Sequence, residues 1–360
     1  MNKNSQNTLI DSKKLIGAKY IFIDGISRSG KAAIVPLISS MPNTEHFKNN
    51  YNIDRIVNLM EMEKITKDGF RYMFQTDLII DTWFTMIGRN QNTNKHDLTS
   101  ILNSPKSKKY KKRENKKDNA QTFNELIIEV EEQKIKFPYM TDELVFHKKL
   151  IDDIVPNSQF IISIRNPIEM IFAWERSGRG TRYGTDQRLL HPTFSKGDLK
   201  NIPYFAINDA EKYLSYSSLE RCVYSIIKLQ KDYYNLLIEN PKGIHWINFE
   251  EFVTNPLPCL NQLSKFIGGD FKKWDEAILQ KSSIPRVLDI EMHFKKTKLI
   301  FSGINEELKS QLLGLCFQHL DLFKNHYSAD YKKLSLEFIE NINFSKLTQT
   351  PKYKHGWRIN

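Results

Sequence analysis

The apolar positions of this chain change period several times. Tyr20-Ile21-Phe22-Ile23 is a continuous apolar run of the strand type, and it breaks at Asp24-Gly25 into a loop of small residues. From Lys31 to Met41 the pattern turns helical. Ile56, Leu59, Met60 and Ile65 fall near one stripe and predict a helix over 53–65. A longer, largely buried helix is predicted from Phe70 to Ile87. Between Asn90 and Gln121 the apolar pattern collapses. Order resumes at Phe123, with a short strand over 135–139 and a helix from Thr141, in the place of an N-cap, to Ile154.

Phe160 to Ile164 has the uninterrupted apolar character of a strand buried in a parallel sheet. Asn166-Pro167 opens a helix, because proline at the first turn forfeits no hydrogen bond. A polar, arginine-rich loop follows from Gly178 to Asp209. A long helix is predicted from about Asp209 to Glu239, burying Tyr216, Leu219, Val223, Ile226, Tyr233 and Leu237, with Gln230 interrupting the stripe. Ile244–Ile247 is another strand. Asn255-Pro256 starts a helix that ends near Gly268-Gly269, and a last one spans Glu306 to Phe323. Alternating strands and helices predict an α/β fold with a mostly parallel central sheet flanked by helices.

Composition narrows the class. With 360 residues, 40% hydrophobic and 12% aromatic, the chain can build a full globular core. The formal net charge of +11 favours anionic ligands or partners, although lysine and asparagine are common throughout. Lys106, Lys108, Lys109, Lys111, Lys112, Arg113, Lys116 and Lys117 crowd between Pro105 and Lys117 against Glu114 alone. That block reads as a solvated, mobile loop, or as a docking surface for a polyanion. Three cysteines, widely spaced and without a histidine cluster, give neither a disulfide framework nor a zinc site. No apolar run approaches the ~20 residues of a membrane span, and the first residues lack a secretory pattern. The expectation is a cytoplasmic protein without a bound metal and without a nucleic-acid partner.

The chemistry concentrates in the first loop. A strand, a tight loop and a helix N-terminus make an anion site, since loop N–H groups and the helix dipole converge there. Gly25 to Lys31 spells G-x-x-x-x-G-K, the start of a Walker A loop. Ala32 stands where that motif needs a serine or threonine for magnesium, so a metal-free phosphate cradle is expected. Arg165 closes the buried strand 160–164, where α/β sheets bind ligands, and its guanidinium suits a phosphate. The loop Arg176-Ser177-Gly178-Arg179-Gly180-Thr181-Arg182-Tyr183 adds three arginines that could clamp an anion.

Taken in order, these elements resemble the sulfotransferases that use 3′-phosphoadenosine 5′-phosphosulfate (PAPS). Ser27-Arg28-Ser29-Gly30-Lys31-Ala32 looks like that family's R-S-G-T-T loop, and Arg165-Asn166-Pro167-Ile168-Glu169 like its R-N-P segment. Lys136-Phe137-Pro138-Tyr139 is similar to a K-x-P segment, and residues 247–268 to a Y-E-D-L-x-x-D-P…F-L-G stretch. The resemblance covers roughly residues 18–270. It departs from the family at Lys31 and Ala32, which replace two threonines, and at Ala173, which replaces a serine eight residues after the arginine.

The resemblance implies a P-loop NTPase-like three-layer sandwich. It divides the chain into a tail 1–17, a sulfotransferase-like domain 18–330 carrying the basic insertion 90–122, and an extension 331–360. It implies PAPS as sulfate donor, cradled by Ser27, Arg28, Ser29, Gly30, Lys31, Ala32 and Ala33, with Arg165 and the position of Ala173 at the 3′-phosphate. Sulfuryl transfer to a hydroxyl- or amine-bearing acceptor, anionic or glycan, would use Arg28 and Lys136 at the leaving group. Glu45 or His46 would be the base, with Asp54 an outside candidate. Two other readings compete: a P-loop kinase or NTPase, and a non-catalytic nucleotide- or polyanion-binding protein on the same scaffold.

Overall fold

The computed structural model describes residues 15, 17–189, 191–268, 276–333 and 335. Most of the tail 1–17 and of the extension 331–360 lies outside the described residues, as does Gly269. Along the chain run β1 (Lys19–Asp24), α1 (Lys31–Ser40), β2 (Lys48–Asn49), α2 (Tyr51–Glu61), α3 (Lys67–Met86), α4 (Ser107–Arg113) and α5 (Ala120–Glu132). Then come β3 (Lys136–Met140), α6 (Lys148–Asp152), β4 (Gln159–Ile164), α7 (Pro167–Arg176), α8 (Arg179–Arg182), β5 (Thr193–Lys196) and β6 (Leu199–Pro203). The rest is α9 (Ala210–Ser215), α10 (Ser218–Glu239), β7 (Ile244–Asn248), α11 (Phe249–Thr254), α12 (Pro256–Ile267), α13 (Glu276–Lys281), α14 (Ile290–Ser302) and α15 (Glu306–Leu322). Two compact units are built from these elements. The first takes its described residues from Met1–Ile164, Leu190–Pro192 and Asn235–Val287, and the second from Arg165–Leu189, Thr193–Tyr234 and Leu288–Asn360.

The first unit holds the five-stranded sheet, in the order β2-β3-β1-β4-β7 with every pairing parallel. The central strand β1 is buried from Tyr20 to Asp24, as its unbroken apolar run requires. On one face Phe22 packs 5.1 Å from Phe160 and 6.1 Å from Tyr139, and Phe74 of α3 closes over it at 6.5 Å. Each such ring, fully buried, contributes about 1.5–3 kcal/mol. Helix α1 packs on β1 and β3, while α11 and α12 pack on β7. The expected α/β architecture is therefore present. In the second unit α14 and α15 pack on α7, and β5 and β6 form an antiparallel hairpin.

Four expectations change. Thr141 caps no helix: its hydroxyl donates to Asp24 Oδ2 at 2.7 Å, and the chain passes through a 3-10 turn at Leu144–His147 into the short α6. The long helix over 209–239 is broken after Ser215. Tyr216 is extended, and Ser217 and Glu220 form a capping box, with Glu220 N–H donating to Ser217 Oγ at 3.3 Å and Ser217 N–H to Glu220 Oε2 at 3.0 Å. The loop 178–209 contains α8 and the β5–β6 hairpin, which turns at Gly197 with φ 59°.

The fourth change is in the basic segment. Tyr110 and Arg113 of α4 are buried, and Lys106 Nζ donates to the carbonyls of Ser39, Met41 and Thr44 at 2.5–2.9 Å. Lys108, Lys111, Lys112, Lys116 and Lys117 are exposed, as a solvated face would have them.

Candidate functional site

The loop between β1 and α1 lies at the carboxyl end of the sheet and is shaped by close backbone contacts. Gly25 has φ 135°, and a Cβ there would meet the Ser163 carbonyl oxygen at 2.6 Å. Gly30 is left-handed at φ 106°, where a Cβ would lie 2.1 Å from the Phe249 ring. Only glycine satisfies both the angle and the space. Ser163 Oγ donates to the Ser29 carbonyl at 2.8 Å, tying the loop to β4. Below the loop, Asp24 accepts from Gly25 N–H at 2.6 Å and from Thr141 Oγ and Leu144 N–H at 2.7 Å each.

The loop presents its donors outward. Helix α1 has no side-chain cap and no acidic residue in its first turn; Ala33 N–H donates to the Gly30 carbonyl at 3.0 Å, and the N–H groups of Lys31 and Ala32 precede the first intrahelical bonds. Arg28 is exposed, with φ 74°, and Ala32 is exposed beside it. Ser29 Oγ is buried without a hydrogen-bond partner, although Ser29 is only 2% exposed. An orphaned hydroxyl in a glycine-lined cradle fits a phosphate or sulfate oxygen. Lys31 is placed differently from the expectation. Its ammonium donates to the carbonyls of Gly25 and Ile26 and pairs with Asp142 Oδ1 at 2.6 Å.

That pair opens onto Asp142 and His191, which the sequence reading did not single out, and onto Asp54, its outside candidate for the base. Asp142 follows β3, and its other oxygen faces His191 Nε2 at 3.9 Å. Its N–H donates to Asp54 Oδ1 at 3.4 Å. Burial, reinforced by the charges of Asp142 and Asp24, raises the Asp54 carboxyl well above the usual range. Lys31, Asp54, Asp142 and His191 thus form one ionisable group beside the loop. Thr141-Asp142 directly after a predicted parallel strand was the signal available, because ligands bind at such strand ends.

Three of the expected catalytic residues are elsewhere. Lys136 begins β3, opposite Lys19 in the register, whereas the loop follows the far end of β1. Four residue steps of strand separate Lys136 from Met140, about 13 Å at the usual rise, so its ammonium does not serve the loop. Glu45 N–H donates to the Lys136 carbonyl at 2.8 Å, which puts Glu45 at the same amino end of the sheet. Its carboxylate takes both arms of Arg113, at 2.7 and 2.8 Å, and Lys109 at 3.1 Å. Burial opposes its ionisation, but those cations prevail and lower its pKa to about 2. Glu45 is a structural anion, too weak a base for proton abstraction. His46 is 8% exposed, and burial lowers it to about 4 despite the facing carbonyls of Ser100 and Leu98.

In the second unit, Arg165 stands directly after the last residue of β4. Its Nη2 is 3.5 Å from Glu169 Oε2, and its carbonyl accepts from Gln230 Nε2 at 2.6 Å. Gln230, the polar break in the helix stripe, is there to hold that backbone. Glu169 also meets His293 Nδ1 at 3.2 Å and Lys296 Nζ at 2.7 Å. Burial opposes its ionisation, but these two hydrogen bonds and their charges lower its pKa to about 2. Ala173 is half-buried on α7 and offers only a methyl. In the arginine loop, Arg182 pairs with Asp186 at 2.6 Å and Arg179 lies 5.1 Å above the Trp174 ring.

Neither a protein-family model nor a curated protein matches the sequence. Among solved structures, a sulfotransferase domain from the curacin biosynthetic pathway is 13% identical, with a TM-score of 0.38 over 89% of this chain and 97% of its own. A sulfotransferase from Alicyclobacillus acidocaldarius is 15% identical, with a TM-score of 0.37 over 85% and 98%. One from Mycobacterium avium is 11% identical, with a TM-score of 0.40 over 86% and 78%. Likenesses of this size leave the function to be argued from the site. Among the described residues, no helix is long and apolar enough to cross a membrane.

Proposed function

We propose that this chain is a sulfotransferase that moves a sulfuryl group from PAPS to a hydroxyl- or amine-bearing acceptor. The observation that carries the reading is the glycine-lined loop after β1. It combines an exposed arginine, an orphaned buried serine hydroxyl and an uncapped helix N-terminus. It also has an alanine where a nucleotide triphosphatase needs a magnesium ligand.

The roles follow from chemistry. Ser29, Arg28 and the amides of Gly30 to Ala32 would hold the 5′-phosphosulfate, with Ala33 N–H closing the turn on the Gly30 carbonyl, and Arg165, as the resemblance implies, would hold the 3′-phosphate. Bound there, PAPS supplies an activated sulfuryl group. Arg28 and the loop amides stabilise the charge that grows on the leaving phosphate, the dominant requirement of such a transfer. Lys31 adds its ammonium from behind the loop. His191, beside Asp142, takes the place of Glu45 and His46 as the group that accepts the acceptor's proton.

A calorimetric titration with adenosine 3′,5′-bisphosphate, against ATP with and without magnesium, tests the reading. Metal-independent bisphosphate binding, weakened at least about tenfold in Arg28→Ala and in Arg165→Ala, is expected. ATP binding that requires magnesium would overturn the proposal in favour of a kinase or NTPase. Bisphosphate binding without transfer of labelled sulfate from PAPS to any acceptor pool would make the chain a binding protein.

A further inference from the structure

A second cavity opens along the edge strand β2, with a volume of about 290 Å³. That is just below the roughly 300–1,000 Å³ of small-molecule sites, and so suits a small ligand. In the sheet order β2 lies two strands from β1, roughly 10 Å at the usual strand spacing, so the cavity is distinct from the phosphate loop.

Its lining selects a ligand class. Gln91 points both its amide nitrogen and its amide oxygen into buried space without a hydrogen-bond partner, and Asn49 Oδ1 is in the same state. Buried amides left unpaired are costly, so an apolar occupant does not suit them. An anion does not suit either. Lys48, the lysine on the wall, is paired with Asp81 at 2.7 Å, and Asp97 adds a further negative charge. The rings of Phe47, Tyr51 and Tyr110 supply flat apolar surface between these polar groups. Donors and acceptors alternating with ring faces, with one carboxylate in excess of the cations, complement a compact neutral molecule rich in hydroxyl groups.

We infer that this cavity is a binding site for a neutral polyhydroxylated ligand of monosaccharide size, oriented by the Gln91 and Asn49 amides. The site does not depend on sulfuryl transfer, and binding needs no donor present.

Saturation-transfer NMR on the full chain tests it, with methyl α-D-glucopyranoside, methyl α-D-galactopyranoside and myo-inositol as neutral probes. Glucose 6-phosphate and cyclohexanol serve as the anionic and apolar comparisons. Saturable binding of at least one neutral probe is expected, with a dissociation constant of about 1 mM or lower. Gln91→Ala should weaken it about tenfold. Tyr51→Ala, at a rim residue 48% exposed whose replacement spares the core, should weaken it about threefold. No saturable binding by any of the three probes would overturn the inference. So would tighter binding of glucose 6-phosphate or cyclohexanol, or full affinity retained in both variants.

Discussion

Lys31 Nζ lies 2.6 Å from Asp142 Oδ1, joining the loop after β1 to the second residue beyond the end of β3. The lysine is 5% exposed and the aspartate 25%, so this ion pair is largely shielded from water. It gives Lys31 a role that the loop motif does not contain, as a brace beneath the cradle that also meets the Gly25 and Ile26 carbonyls. It also holds Asp142 where His191 can face its second oxygen.

Replacing Asp142 by asparagine separates these two roles. The variant keeps the shape and removes one negative charge next to the anion site. Bisphosphate affinity should rise about fivefold, the equivalent of about 1 kcal/mol for one charge near the surface. Sulfate transfer should fall, because His191 loses its carboxylate neighbour. Calorimetry reads the first effect and labelled-sulfate turnover the second. Weaker bisphosphate binding would mean that Asp142 keeps Lys31 in its working position.

Gly30→Ala attacks the cradle directly. The backbone is at φ 106° and the new methyl would meet the Phe249 ring. A loss of about 2 kcal/mol or more in thermal unfolding is expected, with bisphosphate binding abolished. Adding Phe249→Ala should recover the steric part and leave the conformational part.

The Glu45–Arg113 pair sets an acid limit. The Glu45 carboxyl is lowered from 4.5 to about 2, so its stabilisation, about 3 kcal/mol, is complete above pH 4.5 and is lost as pH falls towards 2. Urea unfolding across that window should show the loss, and Glu45→Gln should flatten it. The same variant should be destabilised at neutral pH, where Arg113 is left buried without its counter-charge.

Two histidines act at milder pH. Burial lowers His46 to about 4, and burial with the charge of His293 lowers His319 to about 3, the latter between the Tyr234 and Tyr327 hydroxyls. Unfolded, each takes a proton near 6.5, so the stability they allow is present above that pH and declines below it. At pH 5 the loss is about 2 kcal/mol for each. Unfolding midpoints compared at pH 7 and pH 5 measure it. An unchanged midpoint would contradict the burial of both rings.

Local sequence carried what depends on neighbours along the chain. The apolar runs at 20–23 and 160–164, the glycines of the loop, Pro167 at a helix start and Gly268 at a helix end each act through backbone geometry that the next few residues fix. The capping box at Ser217 and the Gly197 turn were equally local, and readable by the same rules.

The pairing of charges across the fold followed no such rule. Glu45 and His46 read as candidate bases because they follow the first helix. The parallel register carries them, with Lys136, to the amino end of the sheet, and Arg113 from the basic segment neutralises Glu45. Asp142 and His191, 49 positions apart, came together only in the fold. An ionisable side chain takes its character from the dielectric and the charges around it, and those come from strands and loops distant in sequence.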